Sequence, residues 1–320
     1  MSGGEDLLRV QSLSAGYGGR CAVKDISFTL QAGEILCLVG ESGCGKSTLL
    51  RSLLGSFPGL RVYTGELRLR EQELLRLSEG QRQKLCSEHM GVVFQRPGAA
   101  FNPIRSYRKQ FIETLKSHGK YHAAEFEREA GAVFEKLGLE DSARLLAACP
   151  YELSGGMNQR VGLALAMLLR QEILLADEPT SALDATIQLQ VAGELKRLRD
   201  ISGMAQIIVT HNLALARYLG DRIGVMYAGR LVELGRAGDV LASPLHPYTK
   251  SLLAAIPSLD GHMPQGLEGQ PPPGGPADKG CEFRPRCPCS RAACGDAAYD
   301  LREEREGHFV SCPSEKGGAG

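Results

Sequence analysis

At 320 residues, with 43% hydrophobic and 23% charged side chains, the chain is long enough for one large or two ordinary globular domains with a sizeable core. Lys and Arg total 37 and Asp and Glu total 37, so no bulk field favours nucleic acid or an anionic membrane surface, and no local basic patch stands out. The N-terminus, MSGGEDLLRV, lacks the basic start and apolar run of a secretory signal, and no stretch reaches the ~20 apolar residues that span a bilayer, so the chain is expected in the cytosol.

Between residues 7 and 69 short apolar or alternating runs, such as AVKDISFTL and EILCLVG, are punctuated by glycine and predict strands around one helix starting near Lys46. From about 71 to 152 the pattern is charged and helical, with KQFIETLKSHGK and EREAGAVFEKLGL as its clearest amphipathic pieces. From 157 to 232 helix and strand alternate again through MNQRVGLALAMLLR, EILLAD, TIQLQVAGELKRLR and AQIIVT. Alternating units of this kind predict an α/β fold, a mostly parallel sheet covered by helices, with the middle segment as an inserted helical lobe. Beyond Pro257, LDGHMPQGLEGQPPPGGPADKG is rich in Pro and Gly and predicts an extended connector. No internal repeat is visible.

The sequence GESGCGKS, comprising Gly40, Glu41, Ser42, Gly43, Cys44, Gly45, Lys46 and Ser47, has the spacing of a phosphate loop, followed by Thr48. It stands where such a loop must stand, between the apolar strand EILCLV and the helix STLLRSLL. Its glycines let successive backbone N–H groups point at phosphate oxygens, and the following helix adds its positive end. Lys46 would reach the β and γ phosphates, and Ser47 would ligate Mg²⁺. Cys44 reads first as a small space-filler and second as a reactive thiol, because helix N-termini lower thiol pKa.

ILLADE, residues 173–178, reads as a buried parallel strand whose C-terminal end carries Asp177, placed for Mg²⁺, and Glu178, placed to polarise an attacking water as general base. Without context it would be an ordinary strand ending in two solvated acids. LSGGMNQR opens a further helix, with Ser154 as its cap and Gly155 and Gly156 leaving backbone N–H groups open to an anion. A plain helix start is the competing reading. One chain thus carries two anion-binding helix starts, more than a single bound nucleotide needs.

This set, GESGCGKS, the Gln95 of VVFQ, LSGG, ILLADEP, SALD ending in Asp184, and His211 of IIVTH, occurs in the order found in the ATP-binding cassette (ABC) ATPases, which the chain resembles over roughly residues 7–245. The resemblance implies a P-loop NTPase domain with a RecA-like core, an N-terminal antiparallel β subdomain and an inserted α-helical subdomain. It also implies ATP and Mg²⁺ as cofactors and a head-to-tail dimer in which each ATP lies between one subunit's phosphate loop and the other's LSGG. On that resemblance Tyr17 would stack on adenine, and Gln95 would contact Mg²⁺ and sense the γ phosphate. Glu178 would be the general base, Asp184 would communicate across the dimer, and His211 would hold the γ phosphate and the base. A lone His after a strand otherwise most often caps the next helix. The signature departs from the usual Gln at Met157, a feature similar to the peptide and nickel importer ATPases.

SPLHPYTKSLLAAIP, residues 243–257, is similar to the His-Pro-Tyr segment of dipeptide, oligopeptide and nickel importer ATPases; on its own it is a Pro-bounded turn and an amphipathic helix. Five cysteines are scattered (Cys21, Cys37, Cys44, Cys86, Cys149) and five crowd the C-terminal end (Cys281, Cys287, Cys289, Cys294, Cys312), a crowd that in the cytosol suggests metal ligation before disulfides. Family members of this type carry four cysteines in a similar pattern, matched by Cys281, Cys287, Cys294 and Cys312, and in some of them these hold a [4Fe-4S] cluster. Arg284, Arg286 and Arg291 are placed in the sequence to offset its charge. Zinc and no metal at all stay open as alternatives, and Cys289 is an extra thiol. The expected division is an ATPase domain over 6–256 with its helical subdomain at about 96–160, a connector over 257–280, and a small Cys-rich extension over 281–315.

The leading expectation is therefore the ATP-hydrolysing motor of an importer, peripheral on the cytoplasmic face of the membrane. Its implied partners are a second ATPase subunit, itself or a paralogue, two transmembrane permease subunits and an extracytoplasmic solute-binding protein. RPGAAFNPI, after Gln95, is the expected permease contact. AFNPI is similar to nickel-type members and the cysteine extension to peptide-type ones, so peptide is favoured with nickel as the alternative. A soluble ABC ATPase acting on ribosomes or DNA is a remote alternative, since neither a second cassette nor a coiled-coil insertion is present. A redox sensor built on the cysteines is another.

Overall fold

The computed structural model describes residues 6–55, 57–93, 101–181, 185–256, 269–270, 272, 276, 279–296 and 300–312. Among these residues the strands form two sheets. The smaller is antiparallel, in the order β2, β1, β4, β5, built from β1 (Asp6–Tyr17), β2 (Arg20–Gln31), β4 (Leu60–Leu69) and β5 (Gln72–Glu73). Helix α1 (Lys46–Leu54) packs against this sheet and against the central one.

The central sheet has eight strands in the order β11 (Arg302–Arg305), β12 (His308–Val310), β10 (Arg230–Arg236), β9 (Arg222–Tyr227), β3 (Ile35–Val39), β8 (Ala205–Thr210), β7 (Ile173–Asp177), β6 (Met90–Val93). Strand β3 (Ile35–Val39) is buried at all five positions, as a continuous apolar run must be in a parallel strand covered on both faces. It pairs in parallel with β8 (Ala205–Thr210) and β9 (Arg222–Tyr227), and β7 (Ile173–Asp177) pairs with β8 and with β6 (Met90–Val93). Helix α2 (Glu79–His89) leads into β6 and starts on a capping box, with the Ser78 hydroxyl and the Gln81 side chain each accepting from the other's backbone N–H. Between β6 and β7 lie α3 (Tyr107–Ser117), α4 (Phe126–Lys136), α5 (Ser142–Ala147) and α6 (Gly155–Leu168). Phe101, Tyr107, Phe111 and Phe134 form a ladder of ring contacts there, with centroids 5.0 to 6.2 Å apart. Helix α7 (Ala185–Ser202) packs on α6 and on α8 (Leu213–Leu219), and α8 covers β3 and β8. No helix of the described residues is long and apolar enough to cross a membrane.

The C-terminal region is not an appendage. After β10 (Arg230–Arg236) come α9 (Ala237–Ala242) and α10 (Pro247–Ala254), and the chain returns as a hairpin of β11 (Arg302–Arg305) and β12 (His308–Val310). Strand β12 pairs antiparallel with β10, so the hairpin extends the central sheet. Glu233 of β10, wholly buried, accepts hydrogen bonds from the backbone N–H groups of Leu245 and His246 and from Nε2 of His308, at 2.8, 2.9 and 2.7 Å. One carboxylate thereby ties the turn before α10 and the final hairpin to the sheet, and its burial is tolerable because it is fully engaged.

His246 caps α10: its Nδ1 accepts from the Tyr248 N–H at 3.0 Å, and Pro247 occupies the first helical position, where a missing N–H costs nothing. That acceptor role needs a neutral ring. Burial, with Lys250 nearby, pushes the His246 pKa down to about 3. The imidazole therefore takes a proton more readily in the unfolded chain, and its contribution to stability is present above about pH 6.5 and lost as pH falls towards 3. His246→Asn, a cap that does not titrate, is expected to reduce the pH dependence of the urea-unfolding free energy between pH 6.5 and 4, where the imidazole adds up to about 1.4 kcal/mol per pH unit; an unaltered slope would contradict the neutral-cap assignment.

Candidate functional site

Strands β3, β8 and β7 run parallel in adjacent register, with Val39 opposite Thr210 and Val209 opposite Asp177. Their carboxyl ends consequently present Gly40, His211, Asp177 and Glu178 along one edge, where ligands bind in sheets of this kind. The loop that leaves β3 is shaped by its glycines. Gly40 has φ +154°, and a Cβ there would stand 2.2 Å from the Met226 carbonyl oxygen; Gly45 has φ +102°, and its Cβ would meet Val23 Cγ1 at 2.7 Å.

Lys46 is buried, and its ammonium curls back over the loop to donate to the carbonyls of Gly40 at 2.7 Å and Glu41 at 2.8 Å. A cation is thus held over the turn whose N–H groups and helix end already favour an anion. Cys44 is buried beneath it, in contact with Lys46 Nζ at 3.5 Å. Burial raises its thiol pKa, against the opposing effect of Lys46, which favours the space-filling reading over the reactive one. Ser42 and Gly43 are exposed at the tip, and Thr48 continues α1 behind Ser47.

The Ser47 hydroxyl donates to Asp177 Oδ1 at 2.8 Å, bringing two hard oxygen donors from the loop and from β7 together, the donor type that suits Mg²⁺. Glu178 follows with a left-handed backbone, φ +48°, a conformation that costs a non-glycine residue energy and turns its side chain out of the strand line. Its backbone N–H is fixed by the Val209 carbonyl, and its own carbonyl accepts from both the N–H and the hydroxyl of Ser181. His211 Nδ1 lies 3.5 Å from Glu178 Oε2. The helix after β8 is capped by Asn212, whose side chain accepts from the Leu215 N–H at 3.1 Å, so His211 is not consumed in capping. An Asn ahead of an apolar run is a cap signal the sequence already carried.

Tyr17 ends β1 at the tip of the β1–β2 hairpin; it lies two residues from Ala15, whose partner Val23 is the side chain a Cβ at Gly45 would meet. Ser154 caps α6 by accepting from the Met157 N–H, and Ser154 and Gly155 are exposed while Gly156 and Met157 are half-buried. Helix α6 is supported by α4, α7 and β6, whereas α1 rests on both sheets, so the two glycine-rich helix starts have separate supports. Gln95 and Asp184 lie outside the described residues.

The C-terminal cysteines gather. Cys294 and Cys312 are buried, Cys281 and Cys287 half-buried, and Cys289 exposed. The Cys281 N–H donates to the Cys294 carbonyl at 2.8 Å. Burial pushes the Cys281 thiol up to about 11, with Cys312, Glu282 and Cys294 adding to the rise. Among the described residues, however, no three His, Cys, Asp or Glu side chains are placed to share one metal ion. Nor does Arg286 serve the thiols as expected: its guanidinium faces Glu41 of the phosphate loop. Nothing in the sequence spacing announces that contact.

Residues 23–181 match the ABC transporter family, and residues 232–294 match the oligopeptide/dipeptide transporter C-terminal region. The dipeptide transport ATP-binding protein DppD of Bacillus subtilis (strain 168) is 36% identical, over 96% of this chain and 94% of its own length. The oligopeptide transport ATP-binding protein OppD of Escherichia coli (strain K12) is 37% identical, over 96% and 92%. Among solved structures, cbiO1 from Clostridium perfringens, part of the ABC transporter complex cbiONQ, shares the fold at a TM-score of 0.66 and 24% identity, over 75% of this chain and 92% of that one. A dimeric post-hydrolysis state of the ATP-binding cassette MJ0796 bound to ADP and Pi gives 0.60 at 26% identity, over 72% and 98%.

The clash at Gly40 yields a direct expectation. Gly40→Ala should weaken binding of a fluorescent ATP analogue by about tenfold or more, through loop distortion, while the far-ultraviolet circular dichroism stays that of the wild type; wild-type affinity would show that the loop does not need this backbone.

Proposed function

The chain belongs to the ATP-hydrolysing subunits of ABC transporters, and from that premise we propose that it powers the uptake of dipeptides or oligopeptides. The observation that carries the peptide reading is the C-terminal region, whose His246 and Tyr248 are wholly buried and integral to the core. Nickel is the alternative cargo, and its support is the AFNPI segment.

In this reading the N–H groups of residues 40–47 and Lys46 bind the phosphates, Tyr17 stacks on the base, and Ser47 and Asp177, with Gln95, hold Mg²⁺. Magnesium would neutralise charge on the phosphate oxygens. Glu178 takes the proton of the attacking water, and the neighbouring His211 keeps that carboxylate and the γ phosphate in place. The strained backbone of Glu178 and its contact with His211 support those roles. Ser154, Gly155, Gly156 and Met157 serve the nucleotide of a second ATPase subunit, with Asp184 as the link across the dimer. The exposure of Ser154 and Gly155, on a helix supported apart from α1, supports that division.

The permeases would dock at a groove of about 460 Å³ lined by Val93, Phe101, Gln110, Gln159 and Leu165. Ile104, 78% exposed, offers them an apolar contact from the segment after Gln95. The subunit would then sit peripherally on the cytoplasmic face, with a solute-binding protein on the other side. The domain division proposed is 6–256, 257–280 and 281–315.

For the cysteines we favour the [4Fe-4S] reading. Cys281 and Cys287 each interact electrostatically with Cys294 and Cys312, and a cluster would take these four as thiolates spread over separate irons. Protein purified anaerobically should show broad thiolate-to-iron absorbance that disappears in Cys294→Ser; colourless protein without iron would contradict the assignment.

The function itself is tested in vesicles carrying the permeases and this subunit. ATP turnover should rise when peptide-loaded binding protein is added and fall about a hundredfold or more in Glu178→Gln, with ATP binding retained. Turnover indifferent to the peptide-loaded protein, or raised only by the nickel-loaded one, would overturn the peptide reading.

A further inference from the structure

Glu41, the second residue of the phosphate loop, is held by two separate pieces of the chain's C-terminal region, α10 and the segment that carries Cys281 and Cys287. Its backbone N–H donates to the Tyr248 hydroxyl at 2.9 Å. Its carboxylate receives a two-pronged contact from Arg286, Nη1 to Oε2 at 2.8 Å and Nη2 to Oε1 at 3.0 Å, across 245 positions of sequence. Nη1 also donates to the Tyr227 hydroxyl at 3.3 Å. The Arg286 side chain is only 5% exposed and that of Glu41 25%, so the pair is far better shielded than a surface ion pair. The contact with Glu41 holds the guanidinium pKa above its ordinary value.

The arginine is itself anchored. Phe283, three residues before it and fully buried, packs against Tyr227, Tyr248 and His246 with ring centroids 5.3, 5.4 and 6.0 Å away. Cys287 follows it directly and Cys281 stands two residues before Phe283, so the arginine's backbone lies between two of the gathered thiols. A carboxylate beside a triphosphate repels it. Here the carboxylate is neutralised and held by a cation that the ATPase core does not supply.

We propose that Arg286 is a positioning residue of the nucleotide site, acting through Glu41, and that through it the cysteine module sets the ATP affinity of the phosphate loop. The inference rests on the loop being the nucleotide site. A fork that fits both carboxylate oxygens also explains why the position needs arginine: lysine offers one point charge and no planar pair of donors.

The test measures binding of a fluorescent ATP analogue with Mg²⁺ to the full chain carrying Arg286→Gln, Arg286→Lys, Glu41→Gln, or Glu41→Gln with Arg286→Gln. Arg286→Gln should weaken binding about fivefold or more, and Arg286→Lys should fall between it and wild type. Adding Glu41→Gln to Arg286→Gln should restore affinity to that of Glu41→Gln alone, because no unpaired carboxylate remains. The Arg286→Gln defect should also shrink in high salt, which screens the repulsion. Wild-type affinity in Arg286→Gln, or a defect equally large in the Glu41→Gln background and unmoved by salt, would overturn the proposal, the second outcome leaving only an anchor for the module. Lys46→Ala separates the two levels: if it too binds as wild type does, the loop assignment fails and the proposal with it, whereas weakened binding in Lys46→Ala beside wild-type affinity in Arg286→Gln overturns the role of Arg286 alone.

Discussion

A turn that aims successive N–H groups at one anion leaves no space for side chains on its inner wall. Gly40 passes so close to Met226 of β9, and Gly45 so close to Val23 of β2, that both sheets shape the loop. The fully buried β3 delivers the chain to this point, and α1 carries it away with its positive end facing back. Parallel pairing then fixes the remaining chemistry. With β8 between β3 and β7, the strand ends place Asp177 against Ser47 and Glu178 within reach of His211 without any further device.

The same loop explains why the C-terminal region is woven so deeply into the core. Glu233 collects the turn before α10 and the last hairpin on one buried carboxylate, and β12 adds to the sheet edge at β10. These ties bring Tyr248 and Arg286 to Glu41 from opposite sides of the connector. The last strand of that region pairs in register with β10, so the chain beyond the connector returns to the central sheet.

The motif residues were legible because their chemistry is local: a phosphate loop needs its glycines, lysine and serine within eight positions, and a buried parallel strand needs an unbroken apolar run. The alternating units over residues 157–232 likewise give a parallel sheet because short βα spacing leaves few other solutions. Contacts between distant segments leave no such trace. Neither the pairing of β10 with β12 nor the Arg286 to Glu41 bridge has a periodicity, and both depend on how the chain returns after the connector. Adjacency in sequence places Arg286 with the thiols beside it, and only the fold turns its guanidinium to Glu41. At His211 the competing reading, a cap for the next helix, is taken by its neighbour Asn212.

In the proposed site the loop is one wall, pinned from behind by Tyr248 and Arg286, with an opening left for the other. The exposed Ser154 and Gly155, on a helix supported separately, are what a second subunit would bring to that opening. Per-subunit ATP turnover as a function of protein concentration, in the presence of whichever ATPase partner completes the transporter, tests this most directly. The account predicts a rate per subunit that rises with concentration and saturates as dimers form. A rate per subunit that is constant down to dilutions at which light scattering shows only monomers would mean that one chain holds the whole site.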